Sequence, residues 1–486
     1  MLDRAACDRA RIARDVRFDG RFFSGVLTTR IYCRPICPVL PARSRNVVFF
    51  PTAAAAEGSG FRPCLRCRPE AAPGSPAWRG TAATVSRALR LIEQGALDEG
   101  SVADLAAILG IGPRHLTRLF LEHVGASPSA AARTRRVQLA KMLLSDTRLT
   151  VADVAFAAGF QSIRRFNAVF RETYRRPPSA IRRLAPQGGI DGGAIALRLA
   201  FRPPLGWRNL TRFFDAERTV GVEEVSLQGY RRTIVVDGRA GWISVRPVPG
   251  LGQIELGVWL PDCRPLRAVI ERVSRMFDLT ADPEGIARQL ASDGALAPLL
   301  SRLRGVRLPG AWDGFEIAVH RMMRRDVGPV AVAGVMERLA RVHGRPLEPR
   351  PPRGPHLLFP EPAALARFSR ADLGLSRTGA RNLRRLAEAT AAGAIQFQTA
   401  PFERLVLQLT EQAGFDTATA HWIAMRSLTE PDAAPFGLES PSPSPRRRAP
   451  RERDHRRWRP WRSYVAVCHA GAWLAAPESP ARARRA

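Results

Sequence analysis

At 486 residues the chain is too long for one hydrophobic core, and three or four domains are expected. Its 75 basic residues outnumber 44 acidic ones, a formal net charge of +31 that points to nucleic acid or another polyanion. Lys141 is the only lysine, and the excess of arginine, alanine and proline carries the imprint of codon usage. Charge therefore supports DNA binding without establishing it. The first residues are charged where a signal peptide is apolar, and no apolar run approaches the roughly 20 residues of a membrane span. The reading excludes a membrane partner and expects a cytoplasmic protein.

Four of the seven cysteines lie close together, as Cys33-x3-Cys37 and Cys64-x2-Cys67, with Pro35, Pro38 and Pro63 beside them. Two close pairs on tight turns present four sulfurs to one point, the donor set of a tetrahedral Zn2+. Spacing alone leaves two readings open, a knuckle that only holds a small domain together or a reactive thiolate centre. Cys7, Cys263 and Cys468 stand apart from one another, so no disulfide framework is suggested and a reducing compartment is expected.

The run Phe22-Phe23-Ser24-Gly25-Val26-Leu27-Thr28-Thr29-Arg30-Ile31-Tyr32-Cys33-Arg34-Pro35-Ile36-Cys37-Pro38, with Gly60-Phe61-Arg62-Pro63-Cys64-Leu65-Arg66-Cys67, resembles the N-terminal domain of the Ada DNA-repair proteins. The resemblance implies that Cys33, Cys37, Cys64 and Cys67 bind zinc. It also implies that Cys33 is a suicide nucleophile taking a methyl group from a methylphosphotriester in the DNA backbone. The chemistry is coherent: a metal-held thiol is a thiolate, the nucleophilic form, and the triester methyl is a soft electrophile. Methylating one of four thiolates removes one negative charge, so affinity for DNA phosphates rises. Arg34 and Arg66 flank the ligands and are expected to meet phosphates.

An internal repeat follows. Ser101-Val102-Ala103-Asp104-Leu105-Ala106-Ala107-Ile108-Leu109-Gly110 returns as Thr150-Val151-Ala152-Asp153-Val154-Ala155-Phe156-Ala157-Ala158-Gly159. Each copy opens on a hydroxyl able to cap a helix and closes on a glycine able to end it. A second helix is predicted after each, over 113–121 and 162–170, which is helix-turn-helix logic twice. Arg114, His115, Thr117 and Arg118, then Ser162, Arg164, Arg165 and Asn167, are left on the outer faces as candidate DNA contacts. Residues 84–183 resemble the AraC/XylS-type DNA-binding domain, which implies two recognition helices in successive major grooves.

Beyond a linker at 186–193, strand patterns appear at 197–201, 233–236, 242–245 and 254–260, with Asp237-Gly238 as a hairpin signal. Helical spacing takes over from Leu266. Phe201-Arg202-Pro203-Pro204, Arg275-Met276-Phe277-Asp278-Leu279, Val306-Arg307-Leu308-Pro309-Gly310, Asp313-Gly314-Phe315-Glu316 and Trp458-Arg459-Pro460-Trp461-Arg462-Ser463-Tyr464 resemble the AlkA-type DNA-3-methyladenine glycosylases. That resemblance implies base flipping into an aromatic pocket, a helix-hairpin-helix that grips the backbone, and one catalytic aspartate. Here the hairpin reads Gln412-Ala413-Gly414-Phe415-Asp416, and the catalytic position falls on Leu438. Glu439 and Asp432 are the carboxylates that a shifted register would supply. Trp422 and Tyr464 are candidate pocket walls.

The expected fold is a multidomain α+β chain. A four-cysteine zinc domain (1–74) is followed by an all-α double helix-turn-helix domain (81–184). A small antiparallel β-sheet domain (194–265) leads into an all-α helix-hairpin-helix glycosylase domain (266–486). The expected function is an alkylation-damage response protein. It would accept methyl at Cys33, activate transcription through DNA and RNA polymerase at the nucleoid, and carry a glycosylase-like half that either excises bases or is silent. No Pro-Cys-His-Arg motif occurs, so repair of alkylated guanine oxygen is not expected.

Overall fold

The computed structural model describes residues 3–72, 83–183, 194–294, 296–302, 304–351, 353–436 and 457–474. The expected linker at 186–193, Leu438, Glu439 and the Pro/Ser/Arg tract Ser440 to Arg453 lie outside these residues.

The chain divides into two compact units, residues 1–203 with 248–271 and 279–281, and residues 204–247 with 272–278 and 282–486. In the first, α1 (Arg4–Ile12) precedes β1 (Phe23–Val26), β2 (Ile31–Cys33), β3 (Val47–Phe50), α2 (Ala53–Gly58) and β4 (Arg62–Pro63). The strands form a sheet in the order β3-β1-β2-β4, antiparallel except for the β2–β4 edge. Phe23, Tyr32, Ala53, Ala56 and Phe61 fill the space between sheet and α2.

Seven helices follow: α3 (Ala83–Glu93), α4 (Val102–Ile108), α5 (Pro113–His123), α6 (Pro128–Asp146), α7 (Val151–Ala157), α8 (Ile163–Tyr174) and α9 (Pro178–Arg183). The repeat explains their starts. Ser101 caps α4 in a reciprocal capping box with Asp104, and Thr150 caps α7 by accepting from the Asp153 amide. Leu105, Ala106, Leu116 and Phe120 form one core. In the second copy Phe160, Phe166, Phe170 and Tyr174 make a continuous ring ladder, with successive centroids 5.2, 5.4 and 4.7 Å apart. Burying side chains of this size stabilises by about 1.5–3 kcal/mol each. The same unit holds the antiparallel pair β5 (Ile195–Ala200) and β9 (Gln253–Trp259).

The second unit contains α10 (Trp207–Ala216) and the antiparallel strands β6 (Glu223–Val225), β7 (Tyr230–Val236) and β8 (Arg239–Val248). Asp237 and Gly238 join β7 to β8 with φ of 48° and 74°, the left-handed pair that a two-residue hairpin requires. Its helical core is built from the segment Gly314–His343, interrupted at Gly328 (φ 82°) before Pro329, and from the helices Arg377–Ala391, Phe402–Ala413 and Thr417–Leu428. A last helix runs over Arg462–Leu474. Among the described residues no helix is long and apolar enough to cross a membrane.

Candidate metal centre and nucleic-acid interface

Parallel pairing brings the two cysteine pairs together. The Cys64 amide donates to the Tyr32 carbonyl at 3.0 Å, and Ile31 and Tyr32 lie opposite Arg62 and Pro63. Cys33 and Cys64 therefore leave their strands side by side. Cys37 and Cys67 follow on tight turns, the first closed by the Cys37 amide on the Arg34 carbonyl at 3.1 Å. The four sulfurs lie within 4.8 Å of one another. A tetrahedral Zn2+ with bonds near 2.3 Å needs ligand sulfurs about 3.8 Å apart, so the set fits that ion. Cys64 and Cys67 are buried, while Cys33 and Cys37 are only partly covered. The Arg34 amide points at the Cys67 sulfur at 3.4 Å, and the Val39 amide at Cys37.

Arg34 and Arg66 are placed differently. Arg66 is exposed. The Arg34 guanidinium instead grips the buried carboxylate of Asp19 with two nitrogens and donates to the Cys67 carbonyl at 3.2 Å. Its side chain is 12 % exposed. Arg34 thus holds the knuckle closed rather than standing free for a phosphate, and residue type could not distinguish the two roles.

The recognition-helix candidates keep their outward faces. Arg114, His115 and Arg118 on α5 are exposed, with Arg118 against the His115 Nδ1 at 3.1 Å. On α8, Arg164 and Arg165 are exposed and Asn167 is partly covered. Two of the predicted residues are spent locally. The Thr117 hydroxyl donates to the Pro113 carbonyl at 2.9 Å, and Ser162 is the cap of α8, accepting from the Arg165 amide at 3.1 Å.

In the second unit Trp312, Trp422 and Tyr464 are covered. Trp422 is 5 % exposed, with the Arg321 guanidinium 4.7 Å from its ring centre. Trp312 is flanked by Arg232 and Arg272 at 5.5 and 5.2 Å. The cavity beside it, walled by Glu217, Glu316, His320 and Arg426, is small, about 30 Å³. Tyr464 is fully buried and donates to Asp278 at 2.7 Å. Burial pushes the Asp278 carboxyl up to about 6, against the pull of Arg307. Asp432 accepts two bonds from Arg462, at 2.7 and 3.0 Å, and has Arg459 at 3.5 Å.

The hairpin closes on itself. Gly414 turns the chain with φ 69°, and the Asp416 carboxylate caps the next helix, accepting from the Thr419 amide at 2.9 Å and its hydroxyl at 2.7 Å. Arg325 donates to the Gly414 carbonyl at 3.2 Å. Asp326 accepts from the Ser376 amide at 3.1 Å and from its hydroxyl, at the start of Arg377–Ala391.

A zinc module, a doubled helix-turn-helix and a glycosylase-type half define a modular DNA-repair regulator. Three family models match: the metal-binding domain of Ada over residues 6–70, a helix-turn-helix domain over 105–184, and the AlkA N-terminal domain over 196–313. The Mycobacterium tuberculosis protein described as a probable bifunctional transcriptional activator/DNA repair enzyme AlkA is 38 % identical over 470 residues, covering 94 % of each chain. The chain belongs to this family of bifunctional transcriptional activator and DNA-repair proteins, and its four-cysteine cluster is a zinc site. The Escherichia coli activator/repair enzyme Ada is 39 % identical over 130 residues, 26 % of this chain and 35 % of its own. Escherichia coli DNA-3-methyladenine glycosylase 2 is 28 % identical over 281 residues, 55 % of this chain and 94 % of its own.

Proposed function

We propose that Cys33 is the methyl acceptor of a DNA alkylation sensor, and that its methylation switches the helix-turn-helix pair into an activator acting with RNA polymerase on cytoplasmic promoter DNA. The observation that carries this reading is a complete four-sulfur site whose Cys33 is only partly covered. Zinc, when bound, supplies the charge that keeps the sulfurs ionised at neutral pH. Attack by the Cys33 sulfur on the methyl carbon breaks the carbon–oxygen bond and leaves an ordinary phosphodiester anion. The site loses one negative charge and the DNA regains one.

For the second unit we infer a silent glycosylase fold. Trp422, a candidate wall for a flipped base, carries the Arg321 guanidinium, Tyr464 is fully buried against Asp278, and the cavity beside Trp312 is small. Asp432, the described carboxylate nearest in sequence to Leu438, is tied to Arg462. Incubating the zinc-loaded protein with methylated duplex DNA tests both halves. Peptide mass spectrometry is expected to place one methyl group on Cys33, with no free methylated base released above a heat-inactivated control. Unmodified Cys33 would sink the sensor reading, and base release would sink the silent one.

A further inference from the structure

The zinc module and the helix-turn-helix domain share a set of polar contacts. The Tyr32 hydroxyl, one residue before Cys33 and fully buried, donates to Glu57 at 2.9 Å. The other Glu57 oxygen accepts from the Thr134 hydroxyl on α6 at 2.6 Å. Two turns further along α6, Lys141 meets Glu70 at 2.5 Å, and Arg68 bridges Glu70 and Asp146 at 3.1 and 2.8 Å. The Lys141 and Glu70 side chains are 5 % and 0 % exposed. At the end of α5 the Thr52 hydroxyl donates to the Val124 carbonyl at 2.8 Å. Beside it Gly125 (φ +75°) comes so close to Ala55 that an added Cβ would meet that methyl at 3.0 Å.

Of 75 basic residues, 74 are arginine, and the single lysine occupies this contact. A compact ammonium delivers its charge to one carboxylate oxygen, whereas a planar guanidinium needs more room. A buried ion pair adds little net stability, because desolvation offsets most of its attraction.

We propose that Glu57 and Glu70 are positioning residues: with Thr52 they lock the zinc module to α5 and α6, so that a charge change at Cys33 reaches the DNA in register with both recognition helices. A module held only by its chain connection would contribute its phosphate contacts at the effective concentration of a tether. A locked one contributes them without that ordering cost. The proposal rests on Cys33 being the acceptor.

The test removes the reader side of the lock and leaves each zinc-module acid a partner of its own, Tyr32 for Glu57 and Arg68 for Glu70. The full-length triple variant Thr134→Val, Lys141→Met, Asp146→Asn is compared with wild type and with the near-isosteric Thr134→Val alone. Zinc content and Cys33 methylation are measured first, then affinity before and after methylation for a duplex selected from a random library by methylated wild-type protein. Methyl uptake within about twofold of wild type is expected, with the methylation-dependent gain in affinity reduced at least fivefold in the triple variant and partly in Thr134→Val. A gain equal to wild type within a factor of two in both variants overturns the proposal. Should the triple variant lose its zinc, Thr134→Val decides alone. Absence of methyl on wild-type Cys33 is a different failure, that of the acceptor reading.

Discussion

His320 lies 3 % exposed beside the small cavity at Trp312, and its Nδ1 has no partner among the described residues. Burial, with Arg321 and Arg324 nearby, pushes its pKa down to about 3. The unfolded chain therefore binds this proton more readily, near pH 6.5, so the folded state loses stability as pH falls below that value. By pH 5 the loss attributable to His320 amounts to about 2 kcal/mol. His320→Gln is expected to remove that part of the acid sensitivity, read as a smaller drop in urea midpoint between pH 7 and pH 5. An unchanged drop would mean the ring is solvated. At this scale the sequence was least legible. The cysteine spacing declared the metal site because only one geometry satisfies it. Arg34 was expected to meet phosphates and Asp432 to be a carboxylate that a shifted register supplies, and their salt-bridge partners, Asp19 and Arg462, are distant in sequence.

Helix starts and turns were legible because their signals are local. Ser101, Thr150 and Asp237-Gly238 act through neighbours two or three residues away, and each does what its type dictates. The hairpin at Gly414 combines both kinds of information. Its glycine is local, whereas the consequence of Asp416 depends on where the carboxylate turns, and it turns onto its own helix end. A helix N-terminus satisfied by its own anion has little left for a phosphate. Asp416→Asn keeps a good cap and removes the charge, so stability is expected to stay within about 0.5 kcal/mol. Affinity for undamaged duplex is expected to rise roughly two- to fivefold, through one repulsive charge fewer. Fluorescence anisotropy at fixed salt measures this, and unchanged affinity would show that the hairpin does not approach DNA at all.

For the whole molecule, the expected switch is a change of one charge in a chain of net charge +31. Its size in free energy depends on salt. The methylated protein is expected to show a log–log salt slope steeper by roughly one than the unmethylated protein, the signature of one more phosphate neutralised. Equal slopes with unequal affinities would point to altered contacts instead of altered charge. That the chain has several modules was readable from its length, repeat and cysteines. That two of them are joined through Glu57 and Glu70 was not, because both look like any surface glutamates until α6 is laid beside them.

Lys141 gives the chain its single side-chain amine, buried against Glu70 while the zinc module is docked. An acylating reagent should then mark the α-amino group and leave the side chain untouched. Loss of the metal, or a lesion that loosens the module, would bring a second amine into solvent. Counting acyl groups per molecule would report the docked fraction directly, with no fluorophore, no DNA and no engineered residue.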